Sequence, residues 1–183
     1  MKVGVFGGSF NPPHVAHVLA CTLLLSTEDL DQVLVIPAFR HAFGKPLAPF
    51  EDRLRMCDLA MGWLRGVSVS RVEQDLGGDS WTLRTVEHLS EVHPDWKLRL
   101  IIGSDILPDA PRWLGFESIV RLAPPVVLTR AGTEAGRGLL PDVSSTMVRD
   151  LIARGAWADV ERLVPRSVLT YIRANSLYDD KQE

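Results

Sequence analysis

Apolar and polar positions along this chain follow two periods. Short, predominantly apolar runs stand at Lys2–Phe6, Gln32–Pro37, Val67–Arg71, Leu98–Ile102 and Val126–Thr129, and each predicts a buried strand. Between them apolar residues recur at helical spacing, as in Val18, Leu19, Cys21 and Leu24. Helices are predicted over Val15–Ser26, Phe50–Arg65, Thr82–Glu91, Ser145–Ala153 and Val168–Asn175, with Gly155 stopping the fourth and Pro165 opening the last. Strands alternating with helices imply an α/β fold, a doubly wound parallel sheet with helices on both faces. No repeat, low-complexity tract or linker-like composition shift divides the chain, so one domain over 1–183 is expected, with a C-terminal helical segment from about 145 to 176. Trp63, Trp157, Cys21 and Cys57 occupy apolar helical positions and are expected in the core. The glycine-rich stretch Ala131–Asp142 is the expected mobile segment, and Asp179, Asp180 and Glu183 an expected solvated end.

Composition narrows the class. With 183 residues and 46% hydrophobic content there is enough apolar material for a sizeable core. Lys and Arg number 20 against 23 Asp and Glu, a net charge of -3, so no global basic field invites nucleic acid and any phosphate is held by local groups. No apolar run reaches membrane-spanning length, and Met1-Lys2-Val3 leads straight into a strand without a signal-peptide pattern. A cytoplasmic protein with no membrane partner is expected.

The candidate chemistry is split between two distant segments. Gly7-Gly8-Ser9-Phe10-Asn11-Pro12-Pro13-His14-Val15-Ala16-His17 joins the first strand to the first helix, and Val143-Ser144-Ser145-Thr146-Met147-Val148-Arg149 opens a later one. Adjacent glycines let backbone N–H groups approach phosphate oxygens, and a helix start adds unsatisfied amides with partial positive charge. The hydroxyl residues Ser144, Ser145 and Thr146 mark the second helix start, and Arg149 follows a turn later with a fork suited to phosphate. Two helix ends facing one polyanion imply a triphosphate site. His14 and His17, three residues apart, point toward the space beside the glycines; spacing alone leaves a metal site or a surface pair open. The metalloprotease Glu is absent between them, the glycines miss the G-x-G-x-x-G pattern, and no Walker motif occurs. In a doubly wound sheet ligands bind beyond the carboxyl ends of the strands, where Gly7–His17, Gly103–Asp105 and the segment from Pro37 onward all fall.

These residues resemble the (H/T)-x-G-H nucleotidyltransferases with their partner motif I-S-S-T-x-I-R, and most closely bacterial nicotinate mononucleotide adenylyltransferases. The likeness continues through Gly78–Thr85, Ile101–Asp105, Pro111-Arg112-Trp113 and Leu163–Ile172, and so spans nearly the whole chain. It implies a Rossmann-like nucleotidyltransferase fold and transfer of an adenylyl group from ATP to nicotinate mononucleotide in NAD biosynthesis. Mg²⁺ is the implied cofactor, bound by phosphate oxygens and water. Implied catalytic residues are His14 at the phosphate being transferred or its attacker, His17 at the α- and β-phosphates, and Arg149 at the leaving β,γ-phosphates. Gly7, Gly8, Ser9, Phe10, Gly103, Asp105, Ser144, Ser145 and Thr146 are implied at ATP, with Asp105 either at the ribose or simply capping its turn. Lys45, Thr82, Trp113 and Leu114 are implied at the pyridine mononucleotide, Trp113 stacking on its ring and amides near Thr82 and Leu114 receiving its carboxylate.

The chain departs from the family in three places. Ala16 stands where the signature has Gly, Trp81 where Tyr is common, and the loop Pro37–Lys45 lacks the usual Asn and Pro-Pro-His-Lys run. There Arg40, His41 or Lys45 binds phosphate, or the loop is merely solvated. Alternative acceptors are nicotinamide mononucleotide and phosphopantetheine, and an inactive nucleotide-binding regulator is the reading from another class. The sequence leaves homo-oligomer formation open.

Overall fold

The apolar run at the N-terminus becomes the middle strand of the sheet. In this computed structural model, which describes residues 1–42, 44–106, 108–129 and 140–179, five strands are assigned: β1 (Lys2–Gly8), β2 (Gln32–Pro37), β3 (Val67–Val69), β4 (Lys97–Gly103) and β5 (Pro125–Leu128). They lie in the order β3-β2-β1-β4-β5, every pairing parallel. The helices are α1 (Val15–Thr27), α2 (Phe50–Met61), α3 (Val72–Leu76), α4 (Thr82–Val92), α5 (Phe116–Leu122), α6 (Ser145–Ala153), α7 (Trp157–Leu163) and α8 (Arg166–Ala174), with a 3-10 turn at Ala110–Arg112.

Strand residues alternate between two separate cores, because successive side chains point to opposite faces. Val33 and Val35 join α1, α2 and α6 to α8, while Leu34 and Ile36 join α3, α4 and α5. Helices therefore cover both faces, the doubly wound arrangement expected. The chain builds outward from β1 through β2 to β3, then crosses to β4 on the other side. The topological switch point lies between β1 and β4, where a crevice opens at their carboxyl ends. Gly4 is small because a side chain there meets Leu30 and Ile101 at 3.1 and 3.3 Å.

Several boundaries differ from expectation. β1 runs two residues further than Phe6, with Gly7 and Gly8 paired to Ile36 and Pro37, so the glycines end the strand instead of forming the loop. β3 stops at Val69, and the following residues wind into α3, a helix too short for periodicity to reveal. α2 ends at Met61 with Gly62 as its cap, not at Arg65. That early stop turns Trp63 outward: it is 71% exposed, with its indole N–H donating to the Ala60 carbonyl at 2.9 Å, and the core expectation for it fails. Trp157 is half-buried, packing on the core with the Arg173 guanidinium 4.7 Å above its ring. α8 starts at Arg166 behind Pro165, and Gly155, at φ +68°, closes α6 by donating to the Ile152 carbonyl at 2.8 Å. Both cysteines are buried; burial pushes the Cys21 thiol up to about 12 and the Cys57 thiol well above its usual value.

Among the described residues no helix is long and apolar enough to cross a membrane. The expected mobile stretch Ala131–Asp142 lies outside the described residues up to position 139, and Leu140 beyond it is buried. Asp179 is exposed, while Asp180 and Glu183 lie outside the described residues.

Candidate active site

Gly8 leads into a loop that no sheet hydrogen bond holds, so other groups hold it. A side chain at Gly7 meets nothing within 4 Å, and one at Gly8 meets the Phe10 ring at 3.1 Å. The first leaves backbone open at the crevice, and the second lets Phe10 fold back over the strand. Phe10 takes φ +44°, unfavourable for a side chain, and is kept there by its buried ring, edge-on to Phe6 at 5.5 Å and to His17 at 4.9 Å.

The histidines divide their work. His14 caps α1, is 1% exposed and stacks on the half-buried His17 ring with centroids 3.8 Å apart. The His14 backbone N–H donates to His17 Nδ1 at 3.1 Å. An accepting Nδ1 carries no proton, so neutral His17 carries its proton on Nε2, on the far side of the ring. His17 lines a small cavity of about 30 Å³ with Ala16, Gly103, Phe6, Leu128 and Leu140. Ala16, where the signature has Gly, is thus a wall of this cavity and 3% exposed. Asp105 is exposed in the turn after β4, beside Gly103.

The second motif docks on the first. Ser145 Oγ donates to the Pro12 carbonyl at 2.8 Å, and Arg149 Nη1 donates to the Asn11 carbonyl at 2.7 Å. Ser144 Oγ caps α6 by accepting from the Met147 N–H at 3.1 Å, and Thr146 Oγ1 accepts from Arg149 Nη2 at 3.3 Å. The N-termini of α1 and α6 therefore converge on Asn11–Pro13. The Ser145 hydroxyl proton is spent on Pro12, so of the hydroxyl and amide donors expected there the backbone amide is the one left for a ligand. Replacing Ser144 by Ala should cost about 1 kcal/mol and lower the melting temperature by roughly 2–4 °C, measured by circular dichroism.

A second set of groups borders the same loop. Ala38 N–H donates to the Gly8 carbonyl at 2.9 Å, Phe39 N–H to Ser80 Oγ at 2.8 Å, and Ser80 N–H to the Arg40 carbonyl at 3.0 Å. Ser80 lies two residues before Thr82, the first residue of α4, whose cap residue Trp81 makes no side-chain cap bond. A side chain at Gly115 would strike Leu83 at 2.5 Å, so the Trp113-Leu114-Gly115 turn lies against the start of α4. Trp113 is half-buried on that face and Leu114 is 62% exposed. Arg40, His41, Lys45, Arg53 and Asp79 line a cleft of about 430 Å³ along the loop after β2. Burial first, then the Lys45 charge, hold the His41 imidazole below its ordinary value.

Three residues of this assembly were not legible as functional from the sequence. Asn11, 4% exposed, accepts at Oδ1 from the Ala48 N–H at 3.0 Å and from the Tyr178 hydroxyl at 2.9 Å. Arg53 is 1% exposed and bonded to backbone carbonyls. One signal for it existed: Arg53 falls on the buried stripe of its helix with Phe50, Cys57 and Ala60. Tyr178 gave none. Burial pushes its phenol up, against the opposing Arg53 and Arg149 charges.

The fold and the joined motifs define a nucleotidyltransferase of the cytidylyltransferase-like family, whose model matches residues 5–151. A protein of Anaeromyxobacter dehalogenans named "probable nicotinate-nucleotide adenylyltransferase" is 46% identical over 182 residues, covering 97% of this chain and 96% of its own length. One of the same name from Myxococcus xanthus is 44% identical over 190 residues, covering 100% and 97%. By these matches the chain belongs to the nicotinate-nucleotide adenylyltransferase family. Its fold is similar to that of Plasmodium falciparum nicotinic acid mononucleotide adenylyltransferase complexed with NaAD, with a TM-score of 0.86, 18% identity and coverage of 100% and 99%.

Proposed function

We propose that this nucleotidyltransferase joins ATP and nicotinate mononucleotide to give nicotinate adenine dinucleotide and pyrophosphate. The observation that carries the reading is the docking of Ser145 and Arg149 on Asn11 and Pro12, which brings two helix N-termini and His17 to one loop at the switch point. Whole-length similarity to nicotinate-nucleotide adenylyltransferases supports the choice of acceptor. The whole chain acts as one catalytic unit, because α6 to α8 share a core with β2 and α2.

In the reaction a phosphate oxygen of the mononucleotide attacks the α-phosphorus in line. The new P–O bond forms as the bond to the bridging oxygen breaks, and pyrophosphate leaves with that electron pair. No protein nucleophile is needed, so the protein works by alignment, which removes roughly 7–11 kcal/mol from a bimolecular barrier. His17 Nε2 donates to the α- and β-phosphate oxygens as charge builds there. His14, buried behind it, serves the transferred phosphate indirectly by holding the His17 ring. Arg149 keeps Nη1 on Asn11 and turns its remaining donors to the β- and γ-phosphates, joined by the amides of Ser144, Ser145 and Thr146. Gly7, Gly8, Ser9 and Phe10 offer backbone, and Gly103 and Asp105 border the adenosine. Among the described residues no three His, Cys, Asp or Glu side chains gather as a metal cluster. Mg²⁺ would arrive bound to the ATP phosphates and water, and would supply charge neutralisation there.

The acceptor lies toward α4. The Thr82 end of α4 and the Leu114 backbone receive the nicotinate carboxylate, Trp113 takes the pyridine face, and Lys45 with Arg40 draws its phosphate to the cleft. Trp113→Ala should raise KM for the mononucleotide roughly tenfold and leave KM for ATP unchanged in steady-state kinetics. The deciding experiment measures pyrophosphate release from ATP and Mg²⁺ with nicotinate mononucleotide, nicotinamide mononucleotide or phosphopantetheine. Fast release with the first alone is the expected result. Release only with another acceptor overturns the pocket assignment, and no release with any overturns the enzyme reading.

A further inference from the structure

We propose that Arg53 is a positioning residue for adenylyl transfer, fixing from beneath the site the separation of the loop after β1 from the loop after β2. The proposal rests on the reading that the first loop holds ATP and the second borders the mononucleotide phosphate.

A guanidinium is costly to bury, and Arg53 is 1% exposed. Its partners are backbone carbonyls from three stretches of chain: Nη1 donates to Ser9 at 3.0 Å and Ala38 at 2.7 Å, Nη2 to Phe39 at 3.3 Å, and Nε to Ala48 at 2.8 Å. Burial lowers the guanidinium from its ordinary value, while the neighbouring Tyr178 and Cys57 groups oppose that shift. An apolar side chain of similar length would fill the space at less desolvation cost, so filling space does not account for it. What only a planar fork supplies is several donors in fixed directions at once, and here they span the ends of both loops. Ser9 directly precedes Phe10, the residue held at φ +44°, so the bond to its carbonyl also pins the unfavourable turn. Asn11 closes the circuit, accepting from the N–H of Ala48, whose carbonyl takes Arg53 Nε.

If the fork sets the distance between reactants, its loss harms the step that needs both of them aligned more than the binding of either alone. Arg53→Met and Arg53→Lys in the full chain test this, each assayed well below its own melting temperature. The expected result is a kcat lower by about 100-fold with KM for ATP and for nicotinate mononucleotide each within about threefold of wild type. The joined product, nicotinate adenine dinucleotide, should lose affinity about tenfold by calorimetry, because it needs both loops at once. Lys should do no better than Met, since a point charge cannot span three stretches of chain. A lowered melting temperature with wild-type kcat would make Arg53 merely structural and overturn the proposal, as would full recovery of kcat by Lys. If the Met variant does not fold, the Lys variant carries the same kcat and product-affinity test. An inactive wild type sinks the adenylyl-transfer reading and this proposal with it, whereas an active wild type with undiminished variants sinks this proposal alone.

Discussion

His17→Ala should slow pyrophosphate release by roughly 10²–10³-fold, the usual cost of removing one preorganised donor to a developing oxyanion. Its Nδ1 is committed to the His14 N–H, so all of its donor capacity toward ligand resides on Nε2. Two gentler substitutions separate that donor from the ring's structural part. Asn can replace Nδ1 in accepting the His14 N–H but has nothing at the Nε2 position, so it should keep the loop and lose the rate. Gln can place an amide near the Nε2 position and should recover part of the rate. Melting temperatures report the structural part, because the ring also packs on Phe10 and His14. Wild-type turnover in His17→Ala would remove His17 from the mechanism.

The second large effect is expected at Arg149. Its Nη1 bridges to the Asn11 carbonyl while Nη2 reaches Thr146, so one side chain ties α6 to the loop after β1 and, in the proposed mechanism, also presents charge to the leaving group. Arg149→Ala should lower kcat/KM for ATP by 100-fold or more, on the order of the ~1.5–3 kcal/mol of a hydrogen bond to a charged group with the alignment loss added. Arg149→Lys should recover little, since an ammonium cannot bond the Asn11 carbonyl and a phosphate with the same fixed geometry. Steady-state kinetics with ATP varied at saturating acceptor, together with calorimetry for pyrophosphate, would check both. A Lys variant equal to wild type would reduce Arg149 to a simple counter-charge.

Much of the fold was legible because strand and helix periods are local. Gln32–Pro37 and Ser145–Ala153 matched to the residue, since each is bounded by its own signals: an apolar run ending at Pro37, and a hydroxyl cap with Gly155 as the stop. Trp63 was misjudged because an apolar residue on the helical stripe looks the same on either side of a helix stop. α3, α5 and α7 are each seven residues or shorter, under two turns, where no period repeats. The two candidate motifs stood out because each carries a local signature: glycines at a strand end and histidines one turn apart in the first, a hydroxyl at a helix start in the second.

By itself, then, the sequence determined the α/β class, the alternation of the strands with the longer helices, and the two segments, one around His14 and His17 and one around Arg149, that we propose bind anions. Only the tertiary structure decided what those segments touch. The Ser145–Pro12, Arg149–Asn11 and Tyr178–Asn11 bonds join residues 133, 138 and 167 positions apart, and no local pattern encodes such a partner. Nor does composition distinguish a solvated arginine from Arg53, whose four carbonyl partners exist only once β1, β2 and α2 have packed. Local propensities and periods depend on neighbours along the chain, whereas the donors and acceptors of the site are matched by burial, which the sheet order alone brings about.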